Sequence, residues 1–312
     1  MKRISLLIPA HNEEEALPLL YQEICAVVDR LPQYAWEFLF VDDGSTDGTL
    51  ALLRTWHQQD GRVQYLSLSR NFGKEAAMLA GFSEATGDAV IQLDADLQDP
   101  PSLLPEMLKW WEEGYDDVYA RRRFRGQESW LRRRLSLLFY SLLRHSTRIT
   151  VPGNTGDFRL LDRRCVQALL QLPEHHRYTK GLYSWIGFRK KEILFDRQDR
   201  CAGKTSWSLL SLFALAIDGF LTFTTLPLRL ATYLGLFVST YGFCYGVWVI
   251  IKTLAFGEKV TGYASMMTVI LFLGGVQLLS LGVIGEYLGR TFEETRRRPN
   301  FLIAERSTPR DN

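Results

Sequence analysis

Over the first 120 residues, short apolar runs alternate with stretches whose apolar positions recur every three or four residues. Residues 4–8 form a compact apolar run that ends at Pro9, and residues 13–30 have helical spacing. Residues 37–41 form a second run, stopped by Asp42-Asp43-Gly44-Ser45. Residues 46–59 then read as helix, 63–68 as strand and 74–85 as helix. Gly87-Asp88 turns the chain into a strand over 89–93, and a helix from about 101 to 113 precedes a strand near 117–120. This rhythm of βαβ units predicts an α/β fold with a mostly parallel sheet. Ligands of such sheets gather beyond the carboxyl ends of the strands. The polar clusters here, 9–15, 42–47, 69–74 and 94–99, each follow a strand.

The C-terminal third has a different pattern. Residues 230–251 and 260–285 are free of charge, and each run exceeds the roughly 20 residues a helix needs to cross a bilayer core. The short link 252–259 suits a helical hairpin, and Tyr233, Tyr241, Trp248 and Tyr263 are ordinary company for membrane helices. Lys252 and Lys259 lie in the link, whereas Arg229, Arg290, Arg296, Arg297 and Arg298 lie at the other ends. That asymmetry predicts both termini on the cytoplasmic side. No signal peptide is expected, because residues 1–10 run straight into a strand. Two further stretches have the pattern of interfacial helices: 130–145, with an apolar stripe flanked by Arg132, Arg133 and Arg134, and 207–223, with Asp218 as its only charge. The expected division is a cytoplasmic catalytic domain over 1–225, a hairpin over 226–290 and a cytoplasmic tail over 291–312.

Charge sharpens this division. The overall formal charge of +2 conceals a front segment, 1–120, at −13, a middle, 121–164, at +9, and a remainder at +6. An acidic front suits a bound cation, and a basic middle suits anionic lipid phosphate and headgroups. At 46% hydrophobic residues the chain is not disordered. Its 4 cysteines lack C-x-x-C spacing, which disfavours a disulfide scaffold or a structural zinc and fits a reduced compartment. Neither G-x-G-x-x-G in the first turn nor G-x-x-x-x-G-K-[ST] is present, which disfavours a dinucleotide dehydrogenase and a P-loop kinase. Asp94 and Asp96, two apart at a strand end and followed by Gln98 and Asp99, offer hard oxygen ligands suited to Mg²⁺ or Mn²⁺. Such a cation neutralises a diphosphate leaving group. Asp-x-Asp alone is common in solvated loops; its position after a buried strand, alongside Asp42-Asp43, is what marks a site.

Three segments, Pro9-Ala10-His11-Asn12-Glu13, residues 41–49 (VDDGSTDGT) and residues 93–101 (LDADLQDPP), resemble family 2 glycosyltransferases of the GT-A fold. Arg70-Asn71-Phe72-Gly73-Lys74, Gly156-Asp157-Phe158-Arg159 and the two apolar runs resemble the polyprenyl-phosphate glycosyltransferases. Among these, the bacterial bactoprenol glucosyltransferases of O-antigen modification are the nearest match, and dolichol-phosphate mannose synthase is more distant. The resemblance spans about residues 3–303. It implies that Pro9, Glu13 and Asp43 line the base and ribose pocket, and that Asp94, Asp96 and Gln98 hold Mg²⁺ or Mn²⁺ and the sugar diphosphate. It further implies that Arg122 and Arg134 meet the lipid phosphate, with Arg200 and Lys204 as further phosphate partners. Lys74 and Arg159 are implied substrate contacts, and Asp157 and Asp96 the catalytic carboxylates, Asp157 as base or orienting group near the acceptor. The implied partners are a nucleotide sugar, UDP-glucose foremost, polyprenyl (undecaprenyl) phosphate, the bacterial inner membrane and a second copy of the chain; no nucleic acid is implied. Formamido-arabinose, mannose and N-acetylglucosamine remain alternative sugars, and a lipid-linked-sugar translocator or a non-catalytic membrane adaptor are alternative functions.

Overall fold

A computed structural model describes residues 1–123, 155–172, 174–175, 177–195, 226–256 and 262–307. The expected interfacial stretches 130–145 and 207–223 lie outside the described residues, as do Arg134, Arg200 and Lys204. The chain divides into two units. One comprises residues 1–144, 149–212 and 299–312; the other comprises 145–148 and 213–298.

The first unit is built on an eight-stranded mixed sheet. Its elements are β1 (Lys2–Ala10), α1 (Leu17–Val28), β2 (Tyr34–Asp42), α2 (Thr49–Gln59), β3 (Val63–Leu68), α3 (Lys74–Glu84), β4 (Ala89–Gln92), α4 (Leu104–Glu112) and β5 (Asp117–Arg122). They continue with β6 (Thr155–Asp162), α5 (Arg163–Leu170), α6 (Thr179–Trp185), β7 (Lys190–Phe195) and β8 (Ile303–Arg306). The strand order is β7-β5-β6-β4-β1-β2-β3-β8. Strands β1 to β4 run parallel, β6 is antiparallel to both β4 and β5, and β8 is antiparallel to β3. The chain thus steps from β1 outward through β2 and β3, then returns to place β4 on the other side of β1. This reversal creates a switch point at the carboxyl ends of β1 and β4, where open α/β sheets bind ligands.

Central strands of such a sheet are covered on both faces and therefore read as continuous apolar runs. Ile4, Leu6, Leu7 and Ile8 of β1 are all fully buried, as are Val90 and Ile91 of β4. Helix α1 packs Leu17, Leu20, Ile24 and Val28, spaced three and four apart, onto this sheet.

Two helices start later than their apolar spacing predicts. Residue 13 opens a turn, with Ala16 and Leu17 N–H on Glu13 O, but α1 proper begins at Leu17. The intervening N–H groups serve the neighbouring loop: Glu13 N–H donates to Thr49 Oγ1 at 3.0 Å and Glu14 N–H to Asp47 Oδ2 at 3.2 Å. Helix α2 likewise begins at Thr49 rather than 46, and the Thr49 N–H donates to Asp47 Oδ1 at 3.0 Å.

The second unit contains α7 (Leu226–Phe256) and α8 (Tyr263–Arg296), which pack on each other. Within them, Pro227–Val249 and Phe272–Arg296 are long and apolar enough to cross a membrane. Helix α8 continues past the end of the apolar run at 285, and Arg290 pairs there with Glu286 one turn earlier at 3.2 Å. Within the expected tail over 291–312, the described residues contribute to two elements. The first of them finish α8, and Ile303–Arg306 adds to the sheet as an edge strand.

Candidate active site

A cavity of about 300 Å³ opens at the switch point, lined by Pro9, Ala10, His11, Glu13, Asp43, Asn71, Gly73, Lys74, Ala77, Asp94, Ala95 and Asp96. Six of the expected site residues, Pro9, Glu13, Asp43, Lys74, Asp94 and Asp96, meet there.

Asp43 follows β2 and is 4% exposed. Its own N–H donates to Ala10 O at 2.9 Å, which ties the second loop to the end of β1. Its carboxylate accepts the N–H groups of Phe72 (2.7 Å) and Gly73 (2.9 Å), which ties it to the loop after β3. Burial raises its pKa despite those two donors. The approach of the two loops needs glycine at 44: φ is +65°, and a Cβ there would stand 2.4 Å from the Arg70 carbonyl carbon. The neighbouring Asp42 is spent on structure, accepting Ser67 Oγ–H at 2.7 Å and Ser45 N–H at 3.0 Å.

The turn after β4 carries the Asp-x-Asp pair. Leu97 within it has φ of 59°, a left-handed conformation that costs a branched residue about 1–2 kcal/mol. The surrounding contacts hold it there: Leu97 is 4% exposed, Gln98 is buried, and Gln98 N–H donates to Asp96 Oδ1 at 3.2 Å. Asp94 Oδ1 is buried without a hydrogen-bond partner, and so is Oδ1 of Asp99, a residue to which sequence reading gave no role. Burial raises the Asp94 pKa, reinforced by Asp157 and Asp96 and opposed by Lys74. Burial also pushes Asp99 up to about 7, with Asp94 adding to the effect and Arg122, 3.9 Å away, opposing it. Among the described residues, no three carboxylate, imidazole or thiolate groups converge on one point. Two aspartates two residues apart, Asp94 with an orphaned carboxylate oxygen, still fit a hard divalent cation, whereas Gln98 is not among the residues that line the cavity.

Lys74, the first residue of α3, bridges the Asp-x-Asp turn to β6. Its Nζ is 2.7 Å from both Asp94 Oδ2 and Asp157 Oδ2. Burial disfavours the ammonium, but the two carboxylates outweigh it and raise its pKa. Asp157 also faces Lys180 Nζ of α6 at 3.9 Å. Burial pulls its pKa upward, yet Lys180 and then Lys74 hold its carboxyl below the ordinary carboxylate range. The ammonium stands at the same distance from both carboxylates; Asp157 has a second cation in Lys180, whereas Asp94 has like charge beside it.

Arg159, expected at the substrate, is buried beneath this layer. Its Nη1 is 3.1 Å from Asp117 Oδ2, and its guanidinium lies 3.7 Å from the centre of the Tyr183 ring. Tyr183 in turn donates its hydroxyl to Gln92 Oε1 at 2.6 Å.

Sequence reading missed Glu75, Thr179 and Lys180. Glu75 accepts the N–H of Thr179 at 3.2 Å and the Thr179 hydroxyl, so residues 74 and 75 hold β6 and α6 together. The only available signal was the position of Glu75 beside Lys74; Thr179 lies 104 residues away.

Comparison with known proteins identifies the family. Residues 5–170 match the Glycosyl transferase family 2 model, and residues 226–291 match the GtrB C-terminal hairpin. An uncharacterized glycosyltransferase of Synechocystis is 47% identical over 302 residues, covering 97% of this chain and 95% of that protein. The bactoprenol glucosyl transferase of Shigella phage SfX is 43% identical over 304 residues, covering 97% of this chain and 99% of that protein. Glucosyl-3-phosphoglycerate synthase from Mycobacterium tuberculosis, solved with Mn²⁺, UDP-glucose and phosphoglyceric acid, aligns with a TM-score of 0.47 at 19% identity. That alignment covers 69% of this chain and 76% of the other. The chain belongs to glycosyl transferase family 2, with a GtrB-type C-terminal hairpin.

Proposed function

We propose that the chain transfers a glucosyl group from UDP-glucose to polyprenyl phosphate, with inversion at the anomeric carbon, at the cytoplasmic face of a bacterial inner membrane. The observation that carries this reading is the convergence of Asp94, Asp96 and Lys74 at the carboxyl ends of β1 and β4, with Asp157 on the same ammonium. The end-to-end relative named a bactoprenol glucosyl transferase supports the sugar and the acceptor. The two apolar helices, together with the hairpin match over 226–291, support a membrane-bound chain whose acceptor is a lipid. The excess of Arg at 229, 290 and 296–298 over the link supports both termini on the cytoplasmic side.

In the proposed reaction, a phosphate oxygen of the acceptor forms a bond to the anomeric carbon. The bond from that carbon to the β-phosphate oxygen breaks, and its electron pair leaves with the nucleoside diphosphate. A phosphate monoester has a second pKa of about 6, so at neutral pH the acceptor is largely a ready dianion. Asp157, kept ionised by Lys180 and Lys74, therefore acts as an orienting carboxylate rather than a proton acceptor. Asp94, Asp96 and Gln98 would hold Mg²⁺ or Mn²⁺, which when bound supplies neutralisation of the departing diphosphate. Lys74, fixed between the two carboxylates, is aimed at the same developing charge from the α3 side. Pro9, Glu13 and Asp43 hold the nucleotide, and Arg122, Arg134, Arg200 and Lys204 receive the lipid phosphate.

Purified full-length chain incubated with radiolabelled UDP-glucose, a divalent metal and undecaprenyl phosphate is expected to move label into the organic phase. No organic-phase label from UDP-glucose, with label appearing from another nucleotide sugar, would overturn the sugar; none from any donor would overturn the enzyme.

A further inference from the structure

The loop over residues 69–73 is the part of the cavity wall that closes on Asp43, and one of its anchors comes from the far end of the chain. Ser69, the first residue past β3, donates its N–H to Leu302 O at 2.9 Å. From there β8 runs antiparallel to β3, pairing Leu68 with Ile303, Ser67 with Glu305 and Leu66 with Arg306. Side chains fasten this short strand. Glu305 receives Arg54 Nε at 2.9 Å and the Tyr65 hydroxyl at 2.7 Å, and Ser307 Oγ accepts Tyr65 N–H at 2.9 Å. Just before the strand, Asn300 reaches Glu174 O at 3.4 Å. Three residues beyond Ser69, the N–H groups of Phe72 and Gly73 grip the Asp43 carboxylate, and Lys74 follows at once with its contacts to Asp94 and Asp157.

We propose that the C-terminal strand is a positioning element of the donor cavity: by extending the β3 ladder through Ser69 it fixes the loop that presents Phe72 and Gly73 to Asp43. The inference rests on the nucleotide-sugar reading for what fills the cavity, but not for the loop-fixing itself. A strand that merely covered an open edge would protect β3 from mispairing and leave the loop unaffected. Here the ladder carries on one residue past β3 into the loop, so losing β8 frees the loop at its root. Asp43 then has to order two N–H donors by itself.

The test uses the full chain in detergent beside two variants: a truncation after Asn300, and the triple substitution Arg54→Ala, Glu305→Ala, Ser307→Ala, which loosens the strand without shortening the chain. Amide hydrogen exchange is read at Phe72 and Gly73, with Leu6 and Ile91 as core controls, and steady-state kinetics are read with UDP-glucose. In the truncation, exchange at Phe72 and Gly73 is expected to speed up about tenfold while the controls keep their protection. The KM for UDP-glucose is expected to rise about tenfold with kcat within about twofold and the acceptor KM unchanged, with about threefold effects in the triple variant. Unchanged exchange at Phe72 and Gly73 in both variants overturns the proposal. So does an equal loss of protection at Leu6 and Ile91, which would make the strand a general stabiliser; if the truncation does not fold, the triple variant decides. Faster loop exchange in a chain that turns over no nucleotide sugar at all would overturn the functional reading and leave the loop-fixing role standing.

Discussion

Leu6 and Leu254 carry the same side chain in opposite surroundings: Leu6 of β1 is fully buried, and Leu254 of α7 is 83% exposed. The contrast holds across the two units. In the sheet, Ile4, Phe38, Phe40 and Ile91 are sealed by helices of the same chain, whereas Leu236, Phe237, Phe243 and Leu278 of the hairpin are 64–73% exposed. Large apolar side chains left bare along both helices are a surface of the kind that a membrane or another protein covers. The first unit buries its apolar side chains within itself, and the second leaves its own to be covered from outside.

The contrast can be tested by substitutions that separate chemistry, core and lipid contact. Asp96→Ala is expected to cost the most, about a thousandfold in turnover, with thermal unfolding of the sheet unit unchanged. A matched loss of stability would show that the turn after β4 is scaffold rather than site. Next, Leu6→Ala should destabilise the sheet unit by about 3 kcal/mol, while Leu254→Ala in detergent stays within about 0.5 kcal/mol. Denaturation curves that shift equally for both would erase the distinction between the units. Leu236→Arg, near the middle of the first apolar window, should oppose membrane insertion by about 2.5 kcal/mol and leave UDP-glucose turnover in detergent intact. Normal membrane yield of that variant would count against a lipid-facing hairpin.

The smallest effect concerns acid. Because the folded pKa of Asp157 lies below its unfolded value, its contribution to stability is present above the ordinary carboxylate range. It is lost as pH falls through the folded value. Asp157→Asn should therefore lower Tm at pH 7, and its gap from the unmodified chain should narrow as the buffer is taken below pH about 4. A gap that widens on acidification would mean that Lys74 and Lys180 do not hold the carboxylate charged.

What could be read from the residues follows the reach of each signal. The βαβ rhythm and the polar clusters at strand ends are local patterns, so the cavity with Pro9, Asp43, Asp94 and Asp96 was legible before any coordinates. Contacts made across the sheet were not. Lys180 meets Asp157 from another element, and no periodicity announces that meeting. Arg159 illustrates a subtler limit: two residues after Asp157 on the same strand, it shares a face with it, yet its guanidinium finds Asp117 and Tyr183 before it reaches the cavity. The four residues of β8 alternate only weakly between half-buried and exposed, and they follow two long helices, so they read as tail. Their role depends on the bare edge of β3, which the local sequence does not display.

The return of residues 299–307 to the sheet also sets an order of events at the ribosome. Translation delivers the cavity-forming strands first and the two apolar helices next, and only then the short piece that finishes the outer margin of the sheet. A growing chain that stalls before the helices emerge therefore carries an unfinished β-sheet, and completion of the sheet unit must wait until the hairpin has been made.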